Sequence, residues 1–393
     1  LLGNTETVTP ANPNPRPGGP ENSLTVWGDQ GDESEILCDY GAAFSFMLYL
    51  EGRFGPQLLS QLHRDTDQGL ASVGKLLASK GVDARTLLHQ WSAMLALDVP
   101  LEANTRFSGG DRRHYSTPAI HAAVNWDNDD AYATPGAPPN GSDYVRVRNA
   151  RGTYLNARDV RTIAFEGVDN LPTEPVEWTV AANPPEHAGN PALFSGAGDN
   201  FDRAIVRSVT VPAAAPTLTF DARWDIEAAW DFAFVQVSAD GGATWTSLAT
   251  GSTTSDHEAG ALPAVIANLP GFTGTSDGWV RQTADLSPWA GQDVLIGFRY
   301  ITDPNTRGDG FWVDDVAVGG TLVSDGSTLA GWRSASEVRP TPVAGYTVQI
   351  IGYSSTNRTP VFVQSLPLRN QREIRILAPW GLASRGVDVV AAM

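Results

Sequence analysis

The period of the hydrophobic pattern changes once along this chain, near residue 99, and that change limits the architectures open to it. Before it, apolar residues recur every three to four positions. After it, they alternate. The run "ILCDYGAAFSFMLYLEGRFG" (36–55) stacks Ile36, Tyr40, Phe44 and Leu48 on one helical face and sets Phe46, Tyr49 and Leu50 on the opposite one. A helix that is apolar all round is normally buried all round. Helical spacing continues through "GPQLLSQLHR" (55–64) and "GLASVGKLLASKG" (69–81), where Leu70, Val73 and Leu77 are in step. In "DARTLLHQWSAMLALD" (83–98), Leu87, Leu88, Trp91 and Leu95 share a face, with Asp83 placed as the N-cap.

Beyond residue 99 the chain reads as short alternating runs between Gly, Pro, Asn and Asp, the mark of an all-β region. "SDYVRVRN" (142–149), "PTLTFDARW" (216–224), "DVLIGFRYI" (293–301) and "GFWVDDVAVGG" (310–320) are predicted strands. "FAFVQVSADGGATWTSL" (232–248) is a predicted hairpin turning at Asp240-Gly241-Gly242. "GYTVQIIGY" (345–353), "TPVFVQSL" (359–366), "REIRILA" (372–378) and "GVDVVAAM" (386–393) follow. The expected fold is α+β multidomain, an N-terminal helical lobe followed by all-β sandwich and jelly-roll domains. The expected limits are an extended, Pro- and Asn-rich loop over 1–21 and a helical lobe over 22–100. A discontinuous sandwich over 101–180 plus 338–393 would enclose a jelly roll over 181–337. The flanks are each short of the strands an independent sandwich needs, so they are expected to pair with each other, with the jelly roll inserted between them.

Composition narrows the partners. The net charge of −17 would be repelled by nucleic acid phosphates and anionic membranes, so no nucleic acid is expected to bind. No apolar run approaches the ~20 residues of a membrane span. The single cysteine, Cys38, excludes an intrachain disulfide and a cysteine metal site, and reads as a small core residue. The chain opens "LLGNTETVTP", without a signal peptide, and its last strand-like run stops without a terminating loop. Both ends read as cuts in a longer protein.

Catalytic constellations are missing from the sequence. A zinc protease helix needs His-Glu-x-x-His, but His257-Glu258 continues Ala259, Gly260, Ala261, in a loop. His63 and His89 lie on helical runs with no partner one turn away. No Gly-x-Ser-x-Gly elbow and no phosphate-binding loop occurs, so no catalytic residue is assigned. Acidic residues do cluster in the β region: Asp199, Asn200 and Asp202; Asp225, Glu227 and Asp231; and the pair Asp314 and Asp315 inside a core-like strand. Alternation turns one of that pair inward, where a carboxylate needs a partner or a metal. Two readings stand: ion pairs to Arg203, Arg207 or Arg299, or a structural Ca²⁺ held by hard oxygen ligands. The metal ligands expected on the second reading are Asp202, Glu227 and Asp315. Strand parity does not choose between Asp314 and Asp315; Asp315 is preferred because Trp312 and Asp314 share a face.

Two stretches carry a family resemblance. "NSLTVWGDQGDESEILCDYGAAFSFMLYLEGRFGPQLLSQLHRDTDQGLASV" with "LLHQWSAMLALD" resembles the helical half that follows the zinc helix in secreted bacterial metalloproteases of the immune inhibitor A type. "LFSGAGDNFDRAIVRSVTVP" through "GFWVDDVAVGG" resembles the MAM-like jelly roll those proteases carry. The resemblance implies the C-terminal portion of an extracellular zinc-dependent endopeptidase acting on protein or peptide substrates. The zinc ligands precede the segment where this chain begins, so Zn²⁺ enters only through an upstream zinc-helix segment, as one longer chain or as a separate polypeptide. That segment would cover the outer face of the 36–55 helix. The alternative is a non-catalytic surface protein that keeps the scaffold and binds glycans or proteins through the jelly roll.

Overall fold

The computed structural model describes residues 23–25, 36–102, 107, 111–117, 140–148, 150–151, 160, 162–354, 360–366, 368, 373–377 and 387–392. The chain divides into two compact units, 1–169 with 343–393, and 170–342. The α+β layout expected from the period change is observed: helices first, then antiparallel sheets.

The first unit begins with α1 (Ile36–Phe54), α2 (Pro56–Arg64), α3 (Gly69–Ala78) and α4 (Ala84–Glu102). Asp83 caps α4 as its position suggests, its Oδ2 accepting from the Thr86 N–H at 2.8 Å. The helix runs past the expected end at 98, through Pro100 to Glu102. Phe46, Tyr49 and Leu50 of α1 pack with Val73, Leu77, Leu87, Trp91 and Leu95 in one core, where Phe46 meets Trp91 edge-on at 5.3 Å. The other face of α1 carries exposed side chains: Tyr40 is 57%, Phe44 45% and Met47 38% exposed. The side chain of Cys38 and most of the 1–21 segment's successor up to residue 35 lie outside the described residues, as does 1–21 itself. Strands β1 (Tyr144–Arg146) and β2 (Thr162–Glu166) follow. Tyr144 joins the helical core and donates its hydroxyl to the Ser92 carbonyl at 2.7 Å.

The second unit is a two-sheet antiparallel sandwich. Its strands are β3 (Thr179–Ala181), β4 (Ala192–Phe194), β5 (Asp202–Thr210), β6 (Thr217–Asp225), β7 (Phe232–Ser238), β8 (Thr246–Ser247), β9 (Val280–Asp285), β10 (Asp293–Ile301), β11 (Gly310–Val318) and β12 (Thr321–Ser324). Two short helices, α5 (Pro263–Ile266) and α6 (Ala335–Val338), lie between them in sequence and at the end. One sheet is ordered β5-β10-β7-β8. The other is β3-β4-β11-β6-β9, with β12 beside β11. Strand β6 alternates as its sequence does, with Leu218, Phe220, Ala222 and Trp224 buried in the intersheet core beside Phe298 and Phe311. Strand β7 is buried throughout, because Ala233, Val235 and Val237 face that core while Phe232 and Phe234 pack under α5 with Val265. The expected hairpin joins β7 to β8. Gly241 and Gly242 take φ of 70° and 89°, and Asp240 accepts from Ser238 and Thr244.

After residue 342 the chain returns to the first unit as β13 (Val348–Ser354), β14 (Pro360–Leu366), β15 (Glu373–Leu377) and β16 (Val387–Ala392). Here the two flanks pair: β15 lies antiparallel to β2, with Ile376 opposite Ile163, and β1 lies against β16 in the sheet β1-β16-β13-β14.

Candidate functional site

The loops at one end of the sandwich in the second unit gather the acids. Register brings them there: Ile301, the last residue of β10, is paired with both Asp202 of β5 and Phe232 of β7. The residues just past those ends therefore meet. After β6 the chain turns through Ile226–Trp230, with Ala229 at φ 64°. The Ala229 N–H donates to Thr273 Oγ1 at 2.7 Å, and that hydroxyl donates to the Glu227 carbonyl at 3.1 Å. The turn closes with the Asp231 N–H on the same carbonyl at 3.2 Å. From the opposite side the Asp303 N–H donates to Asp231 Oδ1 at 2.8 Å. The Asp303 carbonyl accepts from the Asn200 N–H at 2.8 Å, which brings in the loop before β5. The chain runs close here: a Cβ on Gly308 would lie 2.1 Å from the Asp225 carbonyl oxygen, so a side chain at 308 would force the loop away.

One carboxylate oxygen from each of Glu227, Asp231 and Asp303 lies within 4.8 Å of the other two. Asp231 is 1% exposed, and its Oδ2 has no hydrogen-bond partner. Asp199 Oδ1 and the Tyr300 hydroxyl are buried and unpartnered as well. Among the described residues no ion pair reaches any member of the trio. Burial first, and then the nearby charges of Asp303, Glu227 and Asp199, push the Asp231 carboxyl up to about 7. Glu227 is raised by burial and by Asp303. Burial, followed by Asp231, Asp199 and Asp225, raises the Tyr300 hydroxyl.

Of the three ligands expected from the sequence, only Glu227 belongs to this cluster. Asp202 is spent elsewhere: it forms a two-pronged ion pair with Arg299, at 2.6 Å to Nε and 2.7 Å to Nη2, across the β5–β10 register. This is one of the arginines named as an ion-pair partner. Asp315 sits in a β-bulge at φ 46° and is exposed. The bulge breaks the alternation on which the choice of Asp315 rested, so that Val313 and Val316 both enter the core. The buried acid is Asp314, which is 1% exposed on the face opposite Val313 and Val316. Its Oδ2 accepts from Asn190 Nδ2 at 2.7 Å and its Oδ1 from the Asp315 N–H at 2.7 Å, and burial raises its carboxyl. Asp303 gave no signal of its own in the sequence, since "ITDPNTRG" reads as an ordinary turn. It is found only by asking which loops an antiparallel register brings together.

The histidines hold no metal cluster among the described residues. His89 packs against Thr347, and burial lowers it to about 4. His257 is exposed, its ring nitrogen 2.8 Å from the Glu258 carbonyl.

Residues 170–330 match the family model for the immune inhibitor A-like MAM domain. The pre-pro-metalloprotease PrtV of Vibrio cholerae serotype O1, in strain M66-2 and in strain ATCC 39315 / El Tor Inaba N16961, is 34% identical over 257 residues, 61% of this chain. The chain spans 26% of the length of these curated relatives. The motifs, the domain match and the shared sequence point the same way: residues 170–330 resemble the immune inhibitor A-like MAM domain, in a chain that resembles the C-terminal part of a metalloprotease of the immune inhibitor A type.

Proposed function

We propose that this chain is the C-terminal portion of an extracellular zinc-dependent endopeptidase whose metal-binding helix lies outside it. The observation that carries this reading is the set of exposed side chains on α1. Of the five large hydrophobic side chains that are exposed among the described residues, Tyr40, Phe44 and Met47 share that one helix. A run of exposed aromatic and aliphatic side chains this close together marks a contact surface rather than ordinary scatter. The opposite face of α1 is already in a core, so these exposed side chains are the surface that an upstream zinc-helix segment would cover. The similarity to PrtV, a pre-pro-metalloprotease of about four times the matched length, supports the same view.

On this reading a Zn²⁺ held by the upstream segment would supply the metal-activated water that peptide hydrolysis needs. The residues of this chain would offer that lobe the exposed side chains of α1 and carry the MAM-like domain. The substrates are proteins or peptides, and the acidic charge fits no nucleic acid partner. Among the described residues no helix is long and apolar enough to cross a membrane. Sequencing the coding region upstream of Leu1 tests the reading. An intact His-Glu-x-x-His is the expected result. A motif lacking one of its histidines would refute the endopeptidase and favour a surface protein that binds glycans or proteins on the same scaffold.

A further inference from the structure

We propose that Glu227, Asp231 and Asp303 form a Ca²⁺ site that ties together two loops, the β6–β7 turn and the loop after β10, at one end of the MAM-like domain. The proposal is independent of the proteolytic reading. Three carboxylates that converge within 4.8 Å repel one another unless one takes up a proton or a cation sits among them. No Lys or Arg pairs with any of them among the described residues. The second observation is independent of their proximity. Asp231 is almost wholly buried, and its Oδ2 is left without a partner. The Tyr300 hydroxyl, fully buried against the same charges, is also unpartnered. A buried carboxylate oxygen with no donor is costly, and native structures seldom leave one so. A bound cation removes both costs at once.

The donor set selects the cation. All three ligands are carboxylate oxygens, with no histidine or cysteine, which excludes a zinc-type preference. They come from loops rather than from a rigid octahedral frame, which suits the larger and less demanding coordination of Ca²⁺ over Mg²⁺. One oxygen from each of the three carboxylates faces the ion. Asp231 Oδ1 keeps the Asp303 N–H, so one carboxylate joins the metal to the loop that carries the next ligand. Asp231 and Asp303 are 72 residues apart in the chain, so the site exists only in the folded domain, and binding stabilises the fold by mass action.

The test is equilibrium dialysis with Ca²⁺ on the full chain, together with thermal unfolding in Ca²⁺ and in EGTA. The expected result is one tight site, a higher unfolding midpoint in Ca²⁺, and at least a tenfold weaker affinity in Asp231→Asn. Glu227→Gln, at a less buried position, should weaken binding in the same direction and serves if Asp231→Asn does not fold. Asp202→Asn, which breaks only the Arg299 pair, should leave Ca²⁺ affinity unchanged. The proposal is overturned if the wild-type chain takes up no Ca²⁺ and its midpoint ignores EGTA. Equal affinity for Mg²⁺, or Ca²⁺ binding untouched by both Asp231→Asn and Glu227→Gln, would overturn it too.

Discussion

Asp231 concentrates the chemistry of the second unit in one side chain. Its carboxyl is held up to about 7 by burial, with Glu227 on its own turn, Asp303 on the loop after β10, Asp199 on the loop before β5 and the Tyr300 hydroxyl around it. A carboxyl whose pKa is raised in the fold stabilises the fold in its protonated form. That stability is present at low pH and is lost as pH rises from the unfolded value near ~4 through about 7. In EGTA, therefore, the wild-type midpoint should fall between pH 5 and pH 8 by more than that of Asp231→Asn. In Ca²⁺ the sense reverses, since protons compete for the ligand and affinity drops as pH falls below about 7. Identical pH profiles for wild type and Asp231→Asn would show that the carboxylate is paired in some other way.

Single elements show which sequence signals survive folding. Helix α4 was legible down to its cap, because spacing and capping are local properties. Removing the cap by Asp83→Ala should cost about 1 kcal/mol of the first unit's stability, measured by chemical denaturation. A loss indistinguishable from zero would mean that the cap is replaced by water. Strand β11 went the other way. Its alternation is interrupted at Asp315, and nothing in "WVDDVAV" announces a bulge. Tertiary packing decides it, by placing Val313 and Val316 in one core and Asp314 against Asn190. Asp315→Val should destabilise the second unit by roughly 1–2 kcal/mol, because a β-branched residue resists the left-handed conformation at φ 46°. The Ca²⁺ affinity should not change, since Asp315 lies outside the cluster. The site was legible to the same degree. "DIEAAWDF" could be read as an acid-rich turn, but Asp303 comes from a separate loop, and only register joins them.

Across the whole molecule, the chain leaves the first unit at residue 169 and re-enters it at 343. The second unit has its own core around Phe220, Phe298 and Phe311. Residues 170–342 expressed alone should unfold in one cooperative transition. Deletion of 343–393 should leave that transition in place while exposing β1 and β2, which lose their partners β16 and β15, to limited proteolysis. A fragment 170–342 that is unfolded would show that the two units fold as one.

The most direct measurement of the proteolytic reading compares two proteins on the same substrate, casein. One is this chain alone, and the other is the product of the complete coding region. The account predicts that the chain alone is inactive at any Zn²⁺ concentration. The complete protein should cleave casein, lose that activity to a zinc chelator and regain it with Zn²⁺. Zinc-dependent cleavage by the chain alone, or a complete protein that neither binds zinc nor cleaves, would contradict it.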